Sequence, residues 1–436
     1  MANCAIVGIN WGDEGKGRMV DYLTNHFDVV VRYQGGGNAG HTVVNDRGTF
    51  ALHLLPSGIF REGVVNILGN GVALDCENLL AEMNTLRAAG VSITPENLKI
   101  SDRASLLLPW HRDLDGLEEA RLADKKYGST KQGIAPFYSD KYQKKTVMAG
   151  ELLHPQHLKE HLADLLEWKN LTLQKVYGAK GYTLDELLAW VDKYCEAVKP
   201  YITNTTAFLR DAQKAGKSIL FEAQLGALRD LDYGIYPYTT SSNAVAAYAP
   251  VGSGLPTAKL DDVVGVVKAY SSCVGEGPFV CEWFGEDAQK LRDAGAEYGA
   301  KTGRPRRVGP IDLVATRYGV EIQGLPPSPS PSWTFSAIWT RFPSAPIMSW
   351  TASRPTNSPS PSAFRTQSPS SSTWTAGSAT SPRSAAGTSC RKTPGTTWSM
   401  WSGPSAVTSA MYPWARSGTA SSSADPSNLD RTSRFL

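Results

Sequence analysis

The sequence has no apolar run approaching the roughly 20 residues that a helix needs to cross a bilayer, so no membrane partner is expected. Its opening residues, MANCAIVGINWGDEGKGR, lack the basic start and the cleavage site of a secretory signal. Cysteine is scarce, with six residues (Cys4, Cys76, Cys195, Cys273, Cys281 and Cys390) and no CxxC pair. That spacing supports neither a cysteine-bound zinc nor a disulfide framework, and a reducing, cytoplasmic setting is the expectation. Acidic residues all but vanish near the end, where only Asp425 and Asp430 follow Glu321. The stretch from Leu325 onward holds nine basic residues, so the formal +3 of the chain hides a body of 35 basic and 39 acidic residues, net −4. A mildly acidic body gives no electrostatic reason for nucleic-acid binding.

What is present falls into two parts. From Met1 to Gly324 the chain reads as α/β. Ala5–Ile9, Val29–Tyr33, Val64–Leu68, Leu98–Ile100, Ser218–Glu222 and Val263–Ala269 have the short apolar form of buried strands. His157–Leu171 and Leu184–Ala215 carry apolar residues at helical spacing. This alternation implies a large, mainly parallel central sheet with covering helices, and smaller helical insertions near residues 100–215. From 325 to 436 the chain is Ser-, Pro- and Thr-rich, which is the composition of a disordered tail. Yet that part holds seven of the twelve tryptophans, and polar linkers are poor in aromatics.

Two glycine-bearing turns carry candidate chemistry. Gly12-Asp13-Glu14-Gly15-Lys16-Gly17 directly follows the first expected strand. Glycines there let backbone N–H groups approach phosphate oxygens, and a helix N-terminus behind them favours the anion. Lys16 could reach a phosphate as a point charge. The Walker A spacing is absent, with Gly17 where Ser or Thr would stand, which argues against a switch GTPase. Asp13 is a carboxylate among phosphate-binding groups, suiting a magnesium ligand or a general base. The second turn, Gln34-Gly35-Gly36-Gly37-Asn38-Ala39-Gly40-His41-Thr42, follows the second expected strand. Three consecutive glycines are expected where the backbone bends sharply or touches a ligand. His41, at the end of that loop, is a candidate acid or electrostatic stabiliser.

WGDEGKGR followed by QGGGNAGHT resembles the adenylosuccinate synthetase family. The resemblance continues through Gly128-Ser129-Thr130, Phe221-Glu222-Ala223-Gln224, Tyr236-Pro237-Tyr238-Thr239-Thr240-Ser241-Ser242-Asn243 and Thr302-Gly303-Arg304-Pro305-Arg306-Arg307-Val308-Gly309, across residues 1–324 in order. It implies a ligase of purine biosynthesis that joins L-aspartate to IMP at the expense of GTP, with Mg2+ as cofactor, acting as a homodimer. By resemblance Asp13 is the base and a metal ligand, Gly40 lends the metal a backbone carbonyl, and His41 is the second catalytic residue. GTP would lie against Gly12, Asp13, Glu14, Gly15, Lys16, Gly17, Arg18, Gly40, His41, Thr42 and Arg306. IMP would meet Asp13, Glu14, Gly15, Lys16, Asn38, Ala39, Gly40, His41, Thr130, Lys144, Gln224, Thr240 and Arg304. The aspartate loop would be Ala300, Lys301, Thr302, Gly303, Arg304, Pro305 and Arg306, whose arginines suit a dicarboxylate.

The sequence departs from the family pattern at three places around IMP. GSTKQGIAP stands for GTTGRGIGP, FEAQLG stands for FEGAQG, and Lys144 stands where family members lend an arginine across the dimer. The larger departure is the tail. The family continues with a KLDVL segment that recognises guanine and ends near VSVGPER, and neither string is present. A shift of reading frame can turn Trp333–Pro343 into LDVLSYLDKIP and Met411–Ala424 into something close to VSVGPERDSIIIR, with the unique Trp codon at both required junctions. Residues 1–324 are thus expected to be a C-terminally incomplete synthetase-like domain and 325–436 an out-of-frame tail. An alternative reading is a catalytically impaired chain that binds IMP but has lost guanine recognition.

Overall fold

Short runs of Val, Ile, Leu and Phe bounded by polar turns fold as strands when both faces can be covered. In the computed structural model the described residues are 3–45, 47–299 and 303–325. The readings made for the tail, including disorder and a shifted frame, lie outside them from residue 326 on. Seven strands form one sheet in the order Asp262–Val266, Asn3–Gly8, Ile219–Glu222, Val29–Arg32, Val65–Leu68, Leu98–Ser101, Ile202–Thr203. Every pairing in it is parallel. All six strands read from the sequence are present.

The three strands Asn3–Gly8, Ile219–Glu222 and Val29–Arg32 are buried at every residue. Alternation sorts their side chains. Ala5, Val7, Val29, Val31, Ile219 and Phe221 pack on one face with Leu209 and Ala212 of the helix Thr205–Lys214. Cys4, Ile6, Val30 and Leu220 pack on the other with Met19 and Val20 of the helix Lys16–Leu23. Each fully buried side chain of this size contributes roughly 1.5–3 kcal/mol relative to exposure. A third, larger core gathers beyond the sheet, under the helices Cys76–Ala88, Pro109–Leu122, Pro155–Leu171 and Leu184–Tyr194. Three of these helices, Pro109–Leu122, Pro155–Leu171 and Leu184–Tyr194, fall in the 100–215 range expected for insertions, and Cys76–Ala88 precedes it.

The Leu184–Ala215 stretch is less regular than its periodicity suggests. It comprises the helix Leu184–Tyr194, a 3-10 turn Glu196–Tyr201, the edge strand Ile202–Thr203 and the helix Thr205–Lys214. Pro200 removes a backbone donor and disfavours a helical residue before it. Asn204 then restarts the helix by accepting the Ala207 N–H at 2.9 Å. No described helix is long and apolar enough to cross a membrane.

Candidate active site

In a parallel sheet the loops after the strands' C-terminal ends share one edge, and ligands bind there. The strand order sets Ile219–Glu222 between Asn3–Gly8 and Val29–Arg32. The first glycine turn, the residues after Phe221 and the second glycine turn therefore emerge side by side.

The first turn is strained and self-satisfied. Gly12, Asp13 and Gly15 all have positive φ, at 99°, 59° and 95°. Asp13 is the residue for which this is costly, since L side chains avoid that region. Glu14 turns inward, accepting the Gly12 N–H at 2.7 Å and the Asn10 N–H at 3.2 Å through Oε1. Its Oε2 accepts from Lys16 Nζ at 2.6 Å, with both side chains 2% exposed. Lys16, read as a phosphate contact, is thus paired with Glu14. Arg18 and Gly15 are exposed, and Asp13 is half-buried.

Gly17 brings the two turns into contact. A Cβ at that position would stand 2.6 Å from His41 Cβ, so only glycine fits. His41 Nδ1 lies 2.5 Å from Glu222 Oε1, and both side chains are buried. Glu222 also accepts the Ser57 N–H and O–H, each at 2.8 Å. Burial pushes the His41 imidazole below its ordinary value, outweighing the pull of Glu222. Burial would raise the Glu222 carboxyl, but His41, Arg32 and the Ser57 N–H together hold it below the usual range. The pair rests as carboxylate and neutral imidazole, with the hydrogen on Nδ1. His41 Nε2 is buried with no hydrogen-bond partner among the described residues, which leaves an acceptor and latent donor.

Gln224 is fully buried and braces the second turn from outside. Its Nε2 donates to Gly36 O at 2.7 Å and Ala39 O at 3.2 Å, and its Oε1 accepts the Gly36 N–H at 3.0 Å. Gly35 is obligatory beside it, because a Cβ would fall 1.7 Å from Gln224 Oε1. Asn38 Oδ1 accepts the same Gly36 N–H at 3.3 Å, while Asn38, Ala39 and Gly40 are half-buried at the rim and Thr42 is exposed.

The arginine run joins the first turn. Arg306 Nη2 lies 3.2 Å from Asp13 Oδ2, and its Nη1 donates to Glu297 at 2.8 Å. Burial opposes the charge on Arg306, but Asp13 and Glu297 more than offset it. Glu297, 1% exposed, also takes Lys268 at 2.6 Å and the Tyr270 hydroxyl. Arg307 pairs instead with Glu282 at 2.5 Å. Arg304, exposed, lines a cavity of about 310 Å³ together with Lys126, Gly128, Ser129, Lys131 and Glu276. The loop that holds Gly128, Ser129 and Lys131 and the arginine run thus share one opening, and Thr130 of that loop is exposed. Thr240 Oγ1 is buried without a partner. Lys144 is exposed on the turn after the helix Ile134–Tyr142. Gly303 and Pro305 are exposed, whereas Ala300, Lys301 and Thr302 lie outside the described residues.

A hard divalent cation takes oxygen ligands. The Asp13 carboxylate, paired here with Arg306, and the Gly40 carbonyl are oxygen donors of the kind Mg2+ takes. Sequence reasoning missed Glu222 as the partner of His41, Ser57 as a donor to Glu222, and Glu14 as the internal partner of Lys16. A signal for Glu222 existed, since it is a charge ending an otherwise apolar strand.

The family model for adenylosuccinate synthetase matches residues 5–327. The chain is similar to the adenylosuccinate synthetase of Caldanaerobacter subterraneus subsp. tengcongensis, with 45% identity over 325 residues, 74% of this chain and 76% of that protein. It is 48% identical to adenylosuccinate synthetase 2 of Pseudoalteromonas translucida, covering 74% and 77% of the two chains. Its fold is similar to the fully ligated adenylosuccinate synthetase from Plasmodium falciparum, with a TM-score of 0.69, 33% identity and coverage of 74% and 75%. With the family model matched over 5–327 and relatives 45–48% identical over three quarters of their length, the chain belongs to the adenylosuccinate synthetase family.

Proposed function

We propose that the site at the junction of the two glycine turns joins L-aspartate to IMP with hydrolysis of GTP, through a 6-phosphoryl-IMP intermediate. The family is one of ligases in purine biosynthesis. The observation that carries the reading is the contact of Gly17 with His41, which sets the Asp13 turn against the imidazole.

The chemistry follows from the groups. Asp13 takes the N1 proton of IMP, and the 6-oxygen attacks the γ-phosphorus of GTP. An O–P bond forms, the β,γ bridge breaks and GDP leaves. The aspartate amine then attacks C6, the C–O bond breaks, and phosphate departs as the nitrogen gives up its proton. His41, protonated at Nε2 from solvent as the nucleotides bind, would donate that hydrogen to the oxygen between C6 and the transferred phosphorus, and Glu222 offsets the charge on the ring. Mg2+, held by Asp13 and Gly40, would supply charge neutralisation at the phosphates. Lys16 and Arg306 exchange Glu14 and Asp13 for phosphate and substrate carboxylate when ligands enter. Gln224 keeps the IMP-facing turn in shape, with Thr130, Thr240 and Arg304 at its border. The reading carries a cytoplasmic homodimer, in which Lys144 reaches the partner's nucleotide.

A second reading is favoured by the relatives' unmatched quarter. The match stops at residue 327 and leaves about a quarter of their length without a counterpart. By the family pattern that quarter recognises guanine, so the chain as written binds IMP and is impaired in GTP use. One experiment separates the two readings. IMP and GTP binding are measured separately by calorimetry, beside turnover of this chain and of a frame-corrected version. Turnover equal in both supports the ligase reading for the chain as it stands. IMP binding without GTP binding supports the second. A frame-corrected chain that binds neither nucleotide sinks both.

A further inference from the structure

The helix Pro155–Leu171 carries two histidines one turn apart, His157 and His161. Their rings stack at 6.0 Å between centroids and 29° between planes. Both point to one oxygen of Glu151 in the preceding 3-10 turn Ala149–Leu153. His161 Nδ1 is 2.6 Å from Glu151 Oε2, and His157 Nε2 is 3.4 Å from it. One ligand atom from each residue lies within 4.8 Å of the other two. The other oxygen of Glu151 accepts the Met148 N–H at 2.8 Å, which fixes the carboxylate's orientation. The His157 side chain is 66% exposed, so an ion can enter from solvent.

We propose that Glu151, His157 and His161 bind a divalent transition metal of the zinc class, outside the residues assigned to nucleotide and aspartate. Two imidazoles and a carboxylate, with solvent as the fourth ligand, are the donor set such an ion takes in tetrahedral geometry. Bonds of roughly 2.0–2.1 Å put tetrahedral ligands about 3.3 Å apart. The His157–Glu151 separation already matches, and the His161–Glu151 pair opens by a fraction of an ångström. The metal takes the place of the hydrogen bond between His161 Nδ1 and Glu151 Oε2. Occupancy would tie the turn Ala149–Leu153 to the first two turns of the helix.

The test is equilibrium dialysis of the full chain against Zn2+ with Mg2+ in excess, repeated on His157→Ala, His157→Ala/His161→Ala and Glu151→Gln. The wild type is expected to retain one more equivalent of Zn2+ per chain than the double variant. Losing a direct ligand weakens that site by at least about tenfold, since even outer-shell changes cost that much. Zn2+ should raise the Tm of the wild type and leave the double variant's unmoved. His157→Ala removes an exposed side chain and keeps the apo Tm, so its loss of zinc cannot come from misfolding. Equal retention in wild type and both histidine variants, or no retention by the wild type, overturns the proposal.

Discussion

The two glycine turns do similar work by different means. The first is held mostly from within, because Glu14 reaches back to Asn10 and Gly12 and forward to Lys16, and its one remote ion pair is Asp13 with Arg306. The second is held from outside, by Gln224 on Gly36 and Ala39 and by Glu222 on His41, partners about 180 residues away. A turn that carries its own brace can be carried whole into any similar sheet edge. A turn braced by a neighbouring strand works only if that strand is inserted at the right place. The first turn is also strained at Asp13, and its charges are paired. The second leaves one buried nitrogen, His41 Nε2, without a partner. Ligand entry therefore asks for rearrangement of charge in the first and little movement in the second.

The comparison can be broken most severely at Asp13. Asp13→Asn keeps the shape of the turn and removes the base, and turnover in the frame-corrected chain should fall about 10²–10⁴-fold with IMP binding retained. A fall below tenfold in steady-state rates would assign the proton elsewhere. Next comes the remote brace of the imidazole. Glu222→Gln replaces a charge-assisted bond by a neutral one, and kcat should drop about 10–100-fold while the KM for IMP stays put. An unchanged pH profile of kcat in that variant would show that Glu222 acts only through packing.

Gln224→Ala tests the claim that the second turn depends on distant support. It removes the bonds to Gly36 O and Ala39 O and leaves the Gly36 N–H only the longer bond to Asn38 Oδ1, and urea unfolding should register a loss of about 2–3 kcal/mol. A loss under half a kcal/mol would mean the turn braces itself after all.

Glu82 sharpens the same point through pH. It accepts the N–H groups of His53 and Leu54 at 2.6 Å and 3.0 Å, just after the hairpin that begins at His41. Burial pushes its carboxyl up from 4.5 to about 7, against the lowering effect of those bonds and of Arg32. The folded state therefore holds this proton more tightly than the unfolded state does. Its contribution is complete below about pH 4.5 and is lost as pH rises through about 7. Glu82→Gln should remove the decline in stability between about pH 5 and 8, a change of at most about 2–3 kcal/mol. Parallel pH curves for variant and wild type would contradict the burial argument. The smallest effect is at Lys144, where Lys144→Arg restores a bidentate fork and should lower the KM for IMP by less than about tenfold. No change would remove Lys144 from the nucleotide site.

Much of the fold was legible because its signals are local. Apolar runs such as Val29-Val30-Val31 give buried parallel strands wherever both faces are covered, and all six expected strands formed. The irregular course of 184–215 was hidden because periodicity does not mark where Pro200 and Asn204 cut it. The two turns were legible through glycine placement, but the partners of Lys16 and His41 were not. Glu14 beside Lys16 reads as two phosphate-site residues until the turn's positive φ angles fold one onto the other.

By itself the sequence determined the element types, the two turns and their order, because glycine, capping residues and apolar alternation act over a few neighbours. Only the tertiary structure decided that Ile219–Glu222 lies between the first two strands, and with it the pairing of His41 with Glu222 and of Arg306 with Asp13. Strand order is set by the burial of whole faces across hundreds of residues, a quantity that no short window of sequence contains.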